Sequence, residues 1–398
     1  MNKRSVRSLD MSGLVGQRAL VRVDYNVPLE EGGRVADAAR IEATLPTLRL
    51  LLGAGIRPIL LSHLGRPGGR IVPEESLRPV AAVLQELLGT PVHFLASTDT
   101  DLALETSLGL PEGELLLLEN TRFLPGETTN DEALGARLAR MGDFYVNDAF
   151  GTTHRAHASV VGAPAHLKPA VAGLLVEAEL DALERVRSAP DRPFVVAFGG
   201  AKIRDKIQLM EAFLASAETI LIGGAMANTF LAGMGRPVGE SLVEYDAVEV
   251  AADFLARAPE RLVLPADLVV GVPGRDSNDS RIVPADAIPD GMAAYDIGPQ
   301  ARERFSDTIA RAGTFFWNGP MGWFEAAGYA EGTRAVARAA VAAAESGAFA
   351  VVGGGDSARA IREAGLADRV SHVSTGGGAS LEYLAHGTLP GLEALDDT

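Results

Sequence analysis

Short apolar segments alternate with helical segments along the whole chain, and this alternation limits the possible folds more than any other feature. Residues 19–23 and 59–61 are apolar runs of strand length, while residues 40–52 repeat apolar side chains with the 3.6-residue period of a helix. Strands separated by helices are joined by right-handed crossovers and pair in parallel. We therefore predict an α/β fold built on parallel sheets. Further strands are expected at residues 115–118, 144–146, 194–198, 219–222, 262–264, 314–317 and 349–352.

The length of the chain indicates two domains. A chain of 398 residues is longer than one ordinary core supports, and it suits two domains of roughly 150 to 200 residues. Residues 174–186 are predicted to form one helix that ends before Pro190 and Pro193, and this helix is our candidate for the connection between the domains. We expect both domains to be Rossmann-like, doubly wound parallel-sheet units. Their expected bounds are residues 1–173 and 190–378, with the interdomain helix at 174–189.

Composition excludes several classes of protein. The chain has no cysteine, so disulfides, thiolate metal sites and a cysteine nucleophile are ruled out. A net charge of −16 at pH 7 leaves no general basic surface, so nucleic acid is not an expected partner. No segment approaches the roughly 20 uninterrupted apolar residues of a membrane helix. We expect a cytoplasmic protein that does not bind a membrane.

Basic side chains follow several of the predicted strands in the first half of the chain. The carboxyl ends of parallel strands meet at one edge of a sheet, so these side chains are expected to converge. Guanidinium groups offer a planar fork to phosphate or carboxylate oxygens. A single arginine after a strand is more often a solvated or salt-bridged surface group, but the whole set favours an anion site. Its members are Arg40, His63, Arg66, Arg122 and Arg155.

Two glycine-rich turns follow predicted strands near the C-terminus. Residues 376–378 lie between a short apolar segment and a helix predicted to begin at Ser380, and residues 353–355 follow the strand at 349–352. Unpaired N–H groups at a helix start bind anions, and glycine lets an anion come close. An isolated triple glycine is more often a steric requirement of a tight turn. Two such turns at the ends of neighbouring strands favour a phosphate site.

Two of the four lysines, Lys202 and Lys206, lie four residues apart just after Gly199 and Gly200. On a helix this spacing places both amines on one face near the helix start, where anions are favoured. Chance spacing is the alternative. Neither a Walker A motif nor a Gly-x-Gly-x-x-Gly dinucleotide turn with a following acid is present. The expected ligand is therefore a nucleoside phosphate that is bound without either motif.

These motifs together resemble those of the phosphoglycerate kinase family, in the expected order and over essentially the whole chain. Any one of them is moderate evidence, whereas their joint occurrence is very specific. The matching stretches are RVDYNVP at residues 22–28, SHLGRP at 62–67, LENTRF at 118–123, GTTHRAHAS at 151–159, GGAKIRDKI at 199–207, MANTF at 226–230, WNGPMG at 317–322, GGGDS at 353–357 and SHVSTGGGASLE at 371–382.

The resemblance implies ATP formation from ADP and 1,3-bisphosphoglycerate, with 3-phosphoglycerate as the other product, in a reversible step of glycolysis. It also implies a C-terminal segment, residues 379–398, that returns to the first domain. We expect a monomer whose two domains open and close about the helix at residues 174–186, because the two sets of ligands lie in different domains. The first domain would bind the glycerate. Its implied ligands are Asp24, Tyr25, Asn26, Arg40, His63, Leu64, Gly65, Arg66, Arg122 and Arg155.

The resemblance also implies that the second domain binds ADP or ATP with Mg²⁺. Asp356 would hold the metal, Gly298 would lie near the base and Glu325 would bind the ribose. The implied nucleotide ligands are Lys206, Gly298, Glu325, Gly354, Gly355, Asp356 and Ser357. The groups expected to act on the transferring phosphoryl group are Arg40, Lys202, Lys206 and the backbone N–H groups of Gly376, Gly377 and Gly378.

Four positions depart from the family pattern. Tyr25 replaces a phenylalanine, and Ala225 replaces a glycine. Ser357 replaces a threonine but keeps the hydroxyl, so we expect little effect on metal binding. Trp323 replaces a small aliphatic residue two positions before Glu325, which leaves the base preference of the nucleotide site open.

The residues suit this chemistry independently of the family resemblance. A carboxylate acceptor is already ionised at pH 7, so no general base is needed, and catalysis rests on alignment and on neutralising phosphoryl charge. One alternative is a catalytically silent nucleotide-binding regulator of the same fold, which would be expected to have lost Arg40, Lys206 or Asp356. A nicotinamide-dependent dehydrogenase is another, but it would need the dinucleotide turn that is missing.

Overall fold

The chain divides into two compact units, and the first of them is discontinuous in sequence. The structure is a computed structural model that describes residues 2–98, 100–274 and 279–398. The first unit combines Met1–Asp181 with His386–Thr398, and the second comprises Ala182–Ala385. Each unit contains a six-stranded parallel sheet. The predicted fold class is confirmed.

A parallel sheet forms the centre of the first unit. All six residues of Arg18–Val23 (β1) are buried, as expected for a central strand with both faces covered. The other strands are Arg57–Leu61 (β2), Val92–Leu95 (β3), Leu115–Leu118 (β4), Phe144–Asp148 (β5) and Ala170–Ala172 (β6). Across the sheet the order is β3-β4-β2-β1-β5-β6. Strands β1, β2, β4 and β5 therefore present their carboxyl ends side by side, and the basic loops follow those ends.

Helices connect these strands and bury an apolar core against the sheet. Val21, Leu48, Leu60, Leu84 and Val146 belong to one cluster and are fully buried. The helices are Ala39–Glu42 (α1), Leu45–Gly53 (α2), Arg78–Leu88 (α3), Thr100–Leu108 (α4), Glu132–Ala139 (α5) and Ala163–His166 (α6). Leu174–Ser188 (α7) begins in the first unit and ends in the second.

The region predicted as one helix at residues 40–52 forms two helices, so that prediction was wrong in its continuity. The break falls at Ala43 and Thr44, between α1 and α2. The hydroxyl of Thr44 donates to the carbonyl of Ile41 at 2.8 Å, and the Tyr25 hydroxyl contacts the Thr44 hydroxyl at 2.8 Å. Pro46 lies in the first turn of α2, where its missing N–H costs no helical hydrogen bond. Arg40 therefore sits on a short helix of its own.

The second unit repeats the parallel sheet and adds a small antiparallel sheet that the sequence did not predict. The six-stranded sheet has the order β15-β14-β13-β7-β8-β9 and the three-stranded sheet has the order β11-β10-β12. These strands are Phe194–Phe198 (β7), Thr219–Ile222 (β8), Leu262–Val263 (β9), Asp267–Gly271 (β10), Arg281–Pro284 (β11), Ala293–Ile297 (β12), Thr314–Asn318 (β13), Phe349–Gly353 (β14) and His372–Val373 (β15).

The helices of the second unit cover its sheet, and several of them follow loops that carry predicted site residues. The alanine-rich helix Glu331–Glu345 (α12) buries Val336, Ala340 and Ala343 against Trp317. The remaining helices are Ile207–Ser216 (α8), Gly224–Gly233 (α9), Val248–Arg257 (α10), Pro299–Ile309 (α11), Gly355–Glu363 (α13) and Gly378–His386 (α14).

The last residues of the chain pack on the first unit. Pro390–Glu393 (α15) is a short helix, and Leu389, Leu392 and Leu395 are buried. The amine of Lys3 donates to the carbonyl of Leu395 at 3.0 Å. In the part of the chain that the structure describes, no helix combines the length and the apolar character needed to span a bilayer.

Candidate active site

Three of the predicted basic side chains surround one cavity in the first unit. Arg66, Arg122 and Arg155 line a space of about 330 Å³, together with Gly68, Thr128 and His157. They lie in loops that follow β2, β4 and β5, so the shared sheet edge brings together residues that are far apart in sequence. These three arginines converge as predicted.

The cavity is strongly electropositive. Burial lowers the pKa of Arg122 to about 10, and the positive charges of Arg155, Arg22 and Arg66 contribute to the same shift. Burial, followed by Arg122, Arg22 and Arg155, also lowers the pKa of His157 to about 4. Cations that depress one another's pKa in this way are relieved by an anion, because the anion favours their charged forms. The cavity therefore suits a phosphate or a carboxylate.

His63 lies beside this cavity but is almost fully buried, with 3% of its surface exposed. Its pKa is held well below the usual value, first by burial and then by Arg22, Arg122, Arg155 and His157. The Nη2 atom of Arg22 lies 3.1 Å from its Nδ1 atom. The imidazole is therefore neutral at physiological pH.

Arg40 is held by Asp24, another of the predicted ligands. The Nη1 atom of Arg40 donates to the Oδ2 atom of Asp24 at 2.6 Å, and the Oδ1 atom of Asp24 lies 3.8 Å from the Nδ1 atom of His63. Asn26 accepts a hydrogen bond from the backbone N–H of Gly65 at 3.0 Å. These contacts join Arg40, Asp24 and His63 in one polar cluster, although Arg40 does not line the cavity.

Two of the predicted glycerate ligands are core residues by their side chains. The ring of Tyr25 is fully buried and its hydroxyl contacts Thr44, while Leu64 is 5% exposed. The family motif places both residues in loops, but their apolar surfaces pack inward because burying them is more favourable than exposing them. The backbone remains the only part of either residue that is available to a ligand.

A second and larger cavity, of about 760 Å³, lies in the second unit. Glycine-rich turns after β7 and β8 line one side, including Gly200 and Gly224, and Glu325 and Asp356 line another. The Cβ of any residue other than glycine at position 199 would lie 2.1 Å from the carbonyl oxygen of Pro320, so this turn is packed tightly against a neighbouring backbone. A cavity of this size accommodates a nucleotide.

Aromatic side chains form a wall of the same cavity. Trp323 stacks on Tyr329 with an interplanar angle of 11° and contacts Tyr295 at a centroid distance of 5.8 Å. The indole is 52% exposed and Tyr245 also lines the cavity. An exposed, supported aromatic face is suited to stacking against a base. Trp323, which departs from the family pattern, is therefore part of the cavity wall.

The two lysines do not have the helical arrangement that we predicted. Helix α8 begins at Ile207, after a short turn at Arg204–Lys206, so both lysines precede the helix. The Lys206 amine donates to the Gly199 carbonyl at 2.7 Å. Burial lowers the pKa of Lys206 to about 8, and Asp205 and Asp356 oppose this shift. Lys202 is exposed and makes no hydrogen bond or ion pair with a described residue.

The turn after β14 presents one free carboxylate. Asp356 is exposed and lines the cavity, and its carboxylate has no hydrogen bond or ion pair among residues 2–98, 100–274 and 279–398. Ser357 is fully buried instead; its hydroxyl donates to the Gly353 carbonyl at 2.6 Å and accepts from the Gly319 N–H at 3.0 Å. This hydroxyl supports the turn, and its role as a nucleotide or metal ligand stays a prediction.

The described residues contain no cluster of three carboxylates or histidines that would hold a metal without help. Mg²⁺ usually keeps several waters and is bound through one or two carboxylates together with substrate phosphates. A single free Asp356 at the edge of a nucleotide-sized cavity fits that mode of binding.

The turn of three glycines offers two open donors rather than three. The N–H of Gly376 donates to the Ser374 hydroxyl at 3.2 Å, whereas those of Gly377 and Gly378 have no partner among the described residues. Helix α14 begins at Gly378 and not at Ser380 as predicted, because the Ser380 hydroxyl is buried against Ser374 at 2.5 Å.

Two other predicted nucleotide ligands are engaged elsewhere. Glu325 lines the cavity but its carboxylate is paired with Arg359. Gly298 is buried at the start of α11 and its N–H donates to the Asp267 carbonyl at 2.8 Å. The cavity lining does not include Gly298. Gly354 has a φ of +89°, a conformation that favours glycine, and its turn leads directly into Asp356.

Sequence reasoning missed the buried polar residues under the first cavity. Arg22, Glu127 and Ser159 are at most 1% exposed and are linked by hydrogen bonds. The available signal was an arginine within an otherwise apolar strand, since a buried charge requires a partner. His157 was also missed, although it lies in the motif at residues 151–159.

Comparison with known proteins identifies relatives over the full length of the chain. A family model described as phosphoglycerate kinase matches residues 9–387. The phosphoglycerate kinase of Herpetosiphon aurantiacus is 49% identical, with all of both chains covered. That of Rubrobacter xylanophilus is 51% identical, covering 100% of this chain and 99% of its own.

Solved structures show the same similarity. Phosphoglycerate kinase from Coxiella burnetii superposes with a TM-score of 0.86 at 36% sequence identity. Phosphoglycerate kinase from Pyrococcus horikoshii OT3 does so with a TM-score of 0.86 at 31% identity. In both cases 98% of each chain is covered.

Proposed function

This chain belongs to the phosphoglycerate kinase family, and from that premise we infer that it transfers the acyl phosphate of 1,3-bisphosphoglycerate to ADP. The products are ATP and 3-phosphoglycerate, and the reaction is a reversible step of glycolysis. The observation that carries this conclusion is sequence identity of about 50% over the full length of relatives with that activity in their names. The enzyme is a phosphotransferase with a carboxyl group as acceptor.

The first unit supplies the glycerate site in this proposal. The cavity lined by Arg66, Arg122 and Arg155 supports it, because three guanidinium groups surround a space of about 330 Å³ that suits a small anion. His63 and the ion pair of Arg40 with Asp24 lie next to this group and would complete the contacts. Asn26 and the backbone of Gly65 shape the adjoining loop.

The nucleotide binds in the second unit in this proposal. The 760 Å³ cavity supports it through Trp323 and Tyr245 as base-stacking surfaces and Glu325 as a ribose ligand, which requires the Glu325–Arg359 pair to open. Lys206 would bind phosphate, since an anion restores the charge that burial disfavours. Lys202 and the free N–H groups of Gly377 and Gly378 are further phosphate donors.

Catalysis in this scheme depends on charge neutralisation rather than on proton transfer. The acceptor carboxylate is ionised at neutral pH, so none of the histidines is needed as a base. Arg40, Lys202, Lys206 and the N–H groups of the glycine turn would act on charge spread over the phosphoryl oxygens. Asp356 would hold Mg²⁺, which when bound supplies positive charge to the nucleotide phosphates.

A silent nucleotide-binding regulator is the alternative that we considered, and Arg40, Lys206 and Asp356 are all retained. Their retention favours turnover, since a scaffold has no need of them. We propose that the enzyme acts in the cytoplasm, where glycolytic substrates are found. We also propose that it is a monomer, and size-exclusion chromatography measures its oligomeric state.

A coupled spectrophotometric assay with 3-phosphoglycerate and MgATP tests the function directly. ADP formation should require both substrates and magnesium. Arg122→Ala should raise the KM for 3-phosphoglycerate far more than the KM for MgATP, because Arg122 lines only the first cavity. Arg137→Ala is a control on helix α5, since Arg137 lines neither cavity. Absence of turnover in the folded wild-type enzyme would favour the regulator.

A further inference from the structure

Arg22 is a fully buried cation at the carboxyl end of β1, beneath the proposed glycerate site. Its Nε atom donates to the Ser159 hydroxyl at 2.9 Å, and its Nη1 atom donates to the Val23 carbonyl. The third contact is its Nη2 atom, 3.1 Å from the Nδ1 atom of His63. Arg22 itself lines neither cavity, so its effect on a ligand must pass through a neighbour.

The contact with Arg22 determines which nitrogen of His63 carries the proton, because a guanidinium group has hydrogen-bond donors but no acceptor. A hydrogen bond from Arg22 requires Nδ1 of His63 to be an unprotonated acceptor. In a neutral imidazole the remaining proton must then lie on Nε2. Since Nε2 makes no hydrogen bond in the described part of the chain and is not among its enclosed unpaired atoms, it is open to a ligand.

The competing arrangement is an imidazolium paired with Asp24. The Oδ1 atom of Asp24 lies 3.8 Å from Nδ1, beyond hydrogen-bond distance. The other oxygen of Asp24 is already bound to Arg40 at 2.6 Å. The remaining charged or titratable neighbours are Arg22 on β1, Arg122 after β4, and Arg155 and His157 after β5, and all of them disfavour an imidazolium. The contact with Arg22 therefore prevails.

A buried acid anchors Arg22 in this geometry. Glu127 is 1% exposed, and it accepts hydrogen bonds from the Ser159 hydroxyl at 2.5 Å and from the Ser159 N–H at 3.0 Å. The Ser159 oxygen donates to Glu127 and accepts from Arg22, so the hydroxyl links the two opposite charges. Burial without such a link would leave the guanidinium uncompensated.

We propose that Arg22 is a positioning residue that holds His63 as the neutral Nε2–H tautomer, so that His63 gives the glycerate substrate a hydrogen bond that does not depend on protonation. The substrate contact rests on the proposed function, whereas the tautomer is a property of the free enzyme. Arg22, Ser159 and Glu127 form the support, and His63 is the group that meets the ligand. The Nε2–H group of His63 is then a hydrogen-bond donor of fixed orientation for the substrate.

The tautomer is measured by long-range ¹H–¹⁵N correlation spectra of the full chain with ¹⁵N-labelled histidine, and His63→Gln identifies the resonance. His63 should show the Nε2–H pattern without substrate, unchanged between about pH 6 and about pH 8, the range in which an ordinary histidine titrates. An Nδ1–H pattern or an imidazolium at pH 7 would overturn the proposal. Enzyme activity plays no part in this result, so failure of the proposed function is detected separately by the coupled assay.

Substitutions at His63 test the donor in binding. Glutamine places an amide N–H about where Nε2 lies, while asparagine places it about where Nδ1 lies. The KM for 3-phosphoglycerate should rise only a few-fold in His63→Gln and about 10- to 100-fold in His63→Asn, the range for losing a hydrogen bond to a charged group. The KM for MgATP should not change. Equal effects of the two substitutions would contradict an Nε2–H donor.

Arg22→Lys tests the positioning role, with Arg18→Lys as the matched control. Arg18 is also a buried arginine on β1, but it pairs with Asp143 at 2.7 Å, away from His63. Arg22→Lys should release the Nδ1 atom of His63, so that its spectrum shows both neutral tautomers and the KM for 3-phosphoglycerate rises, whereas the control leaves both unchanged. Identical spectra and equal KM values for 3-phosphoglycerate in the two folded variants would refute a role for Arg22. If Arg22→Lys does not fold, the wild-type spectrum and the two His63 variants still decide the question.

Discussion

Replacing Asp148 with asparagine should stabilise the enzyme more at alkaline than at acidic pH. Asp148 is the last residue of β5 and is completely buried. Burial raises its pKa to about 7, and hydrogen bonds from Thr47 and from the backbone of Leu175 and Val176 offset only part of that rise. Asparagine keeps the oxygen that accepts the Leu175 N–H at 2.9 Å and removes the charge.

The magnitude follows from linkage between protonation and folding. The pKa of this carboxyl is higher in the folded state than in the unfolded chain. As pH rises between the two pKa values, the unfolded chain loses the proton while the folded protein keeps it, so the free energy of unfolding decreases. Stability should fall as pH rises from 3.8 towards about 7 and level off above it. Between pH 5 and pH 7 the difference is about two pH units at 1.4 kcal/mol each, or about 3 kcal/mol.

Thermal unfolding followed by calorimetry at pH 5 and pH 8 measures this difference. The gain in Tm for Asp148→Asn should be about 5 to 10 °C larger at pH 8, since about 1 kcal/mol shifts Tm by 2 to 4 °C in a unit of this size. Asp143→Asn is the control of opposite sign: the pKa of Asp143 is lowered through its contacts with Arg18, although burial opposes this. Removing the Asp143 charge should lower the Tm equally at pH 5 and pH 8, because this carboxylate is ionised at both. The same Tm change for Asp148→Asn at pH 5 and pH 8 would refute the reasoning.

Four further predictions concern the proposed sites. Arg40→Ala should lower turnover by about 10² to 10³ and leave MgADP affinity nearly unchanged; unaltered turnover would remove Arg40 from the mechanism. Asp356→Asn should weaken MgADP binding in titration calorimetry but not the binding of 3-phosphoglycerate, and equal MgADP affinity would exclude it as a metal ligand. ADP should change the fluorescence of exposed Trp323, and the signal should be lost in Trp323→Phe, where buried Trp317 alone remains; a full signal in the variant would place the base elsewhere. Small-angle scattering should show a smaller radius of gyration only with both substrates bound, because each ligand alone contacts mainly one unit; a constant radius under confirmed saturation would argue against a hinge.

Local pattern was enough to locate most of the central strands. The predicted runs at residues 115–118, 194–198 and 219–222 match β4, β7 and β8 at both ends, because a strand buried on both faces is an unbroken apolar run. Strand β3 and the antiparallel strand β11 escaped because their side chains are only partly buried or exposed, so their sequences alternate weakly.

The site was predictable in its components but not in the way that they are held. Motif positions were sufficient to propose that Arg66, Arg122 and Arg155 share one site. They could not reveal that Ser357 accepts from Gly319, 38 residues away in sequence, or that the loop after β7 folds so that Lys206 reaches back to Gly199. Arg22 was hidden for the same reason: its partner Ser159 is 137 residues away in sequence.

The origin of the first unit from both chain ends has a consequence for biosynthesis. Strand β6 is the edge strand of its sheet. The backbone N–H of Ala172 donates to Arg4 at 2.9 Å, and the Ala170 carbonyl accepts from Asp396 at 2.8 Å. On the ribosome this unit emerges first, yet it waits for the entire second unit to be translated before residues 386–398 are available. Until then the Ala170 carbonyl and the surface beneath Leu392 and Leu395 are uncovered, so a stop codon that removes residues 386–398 harms the part of the enzyme that was made first.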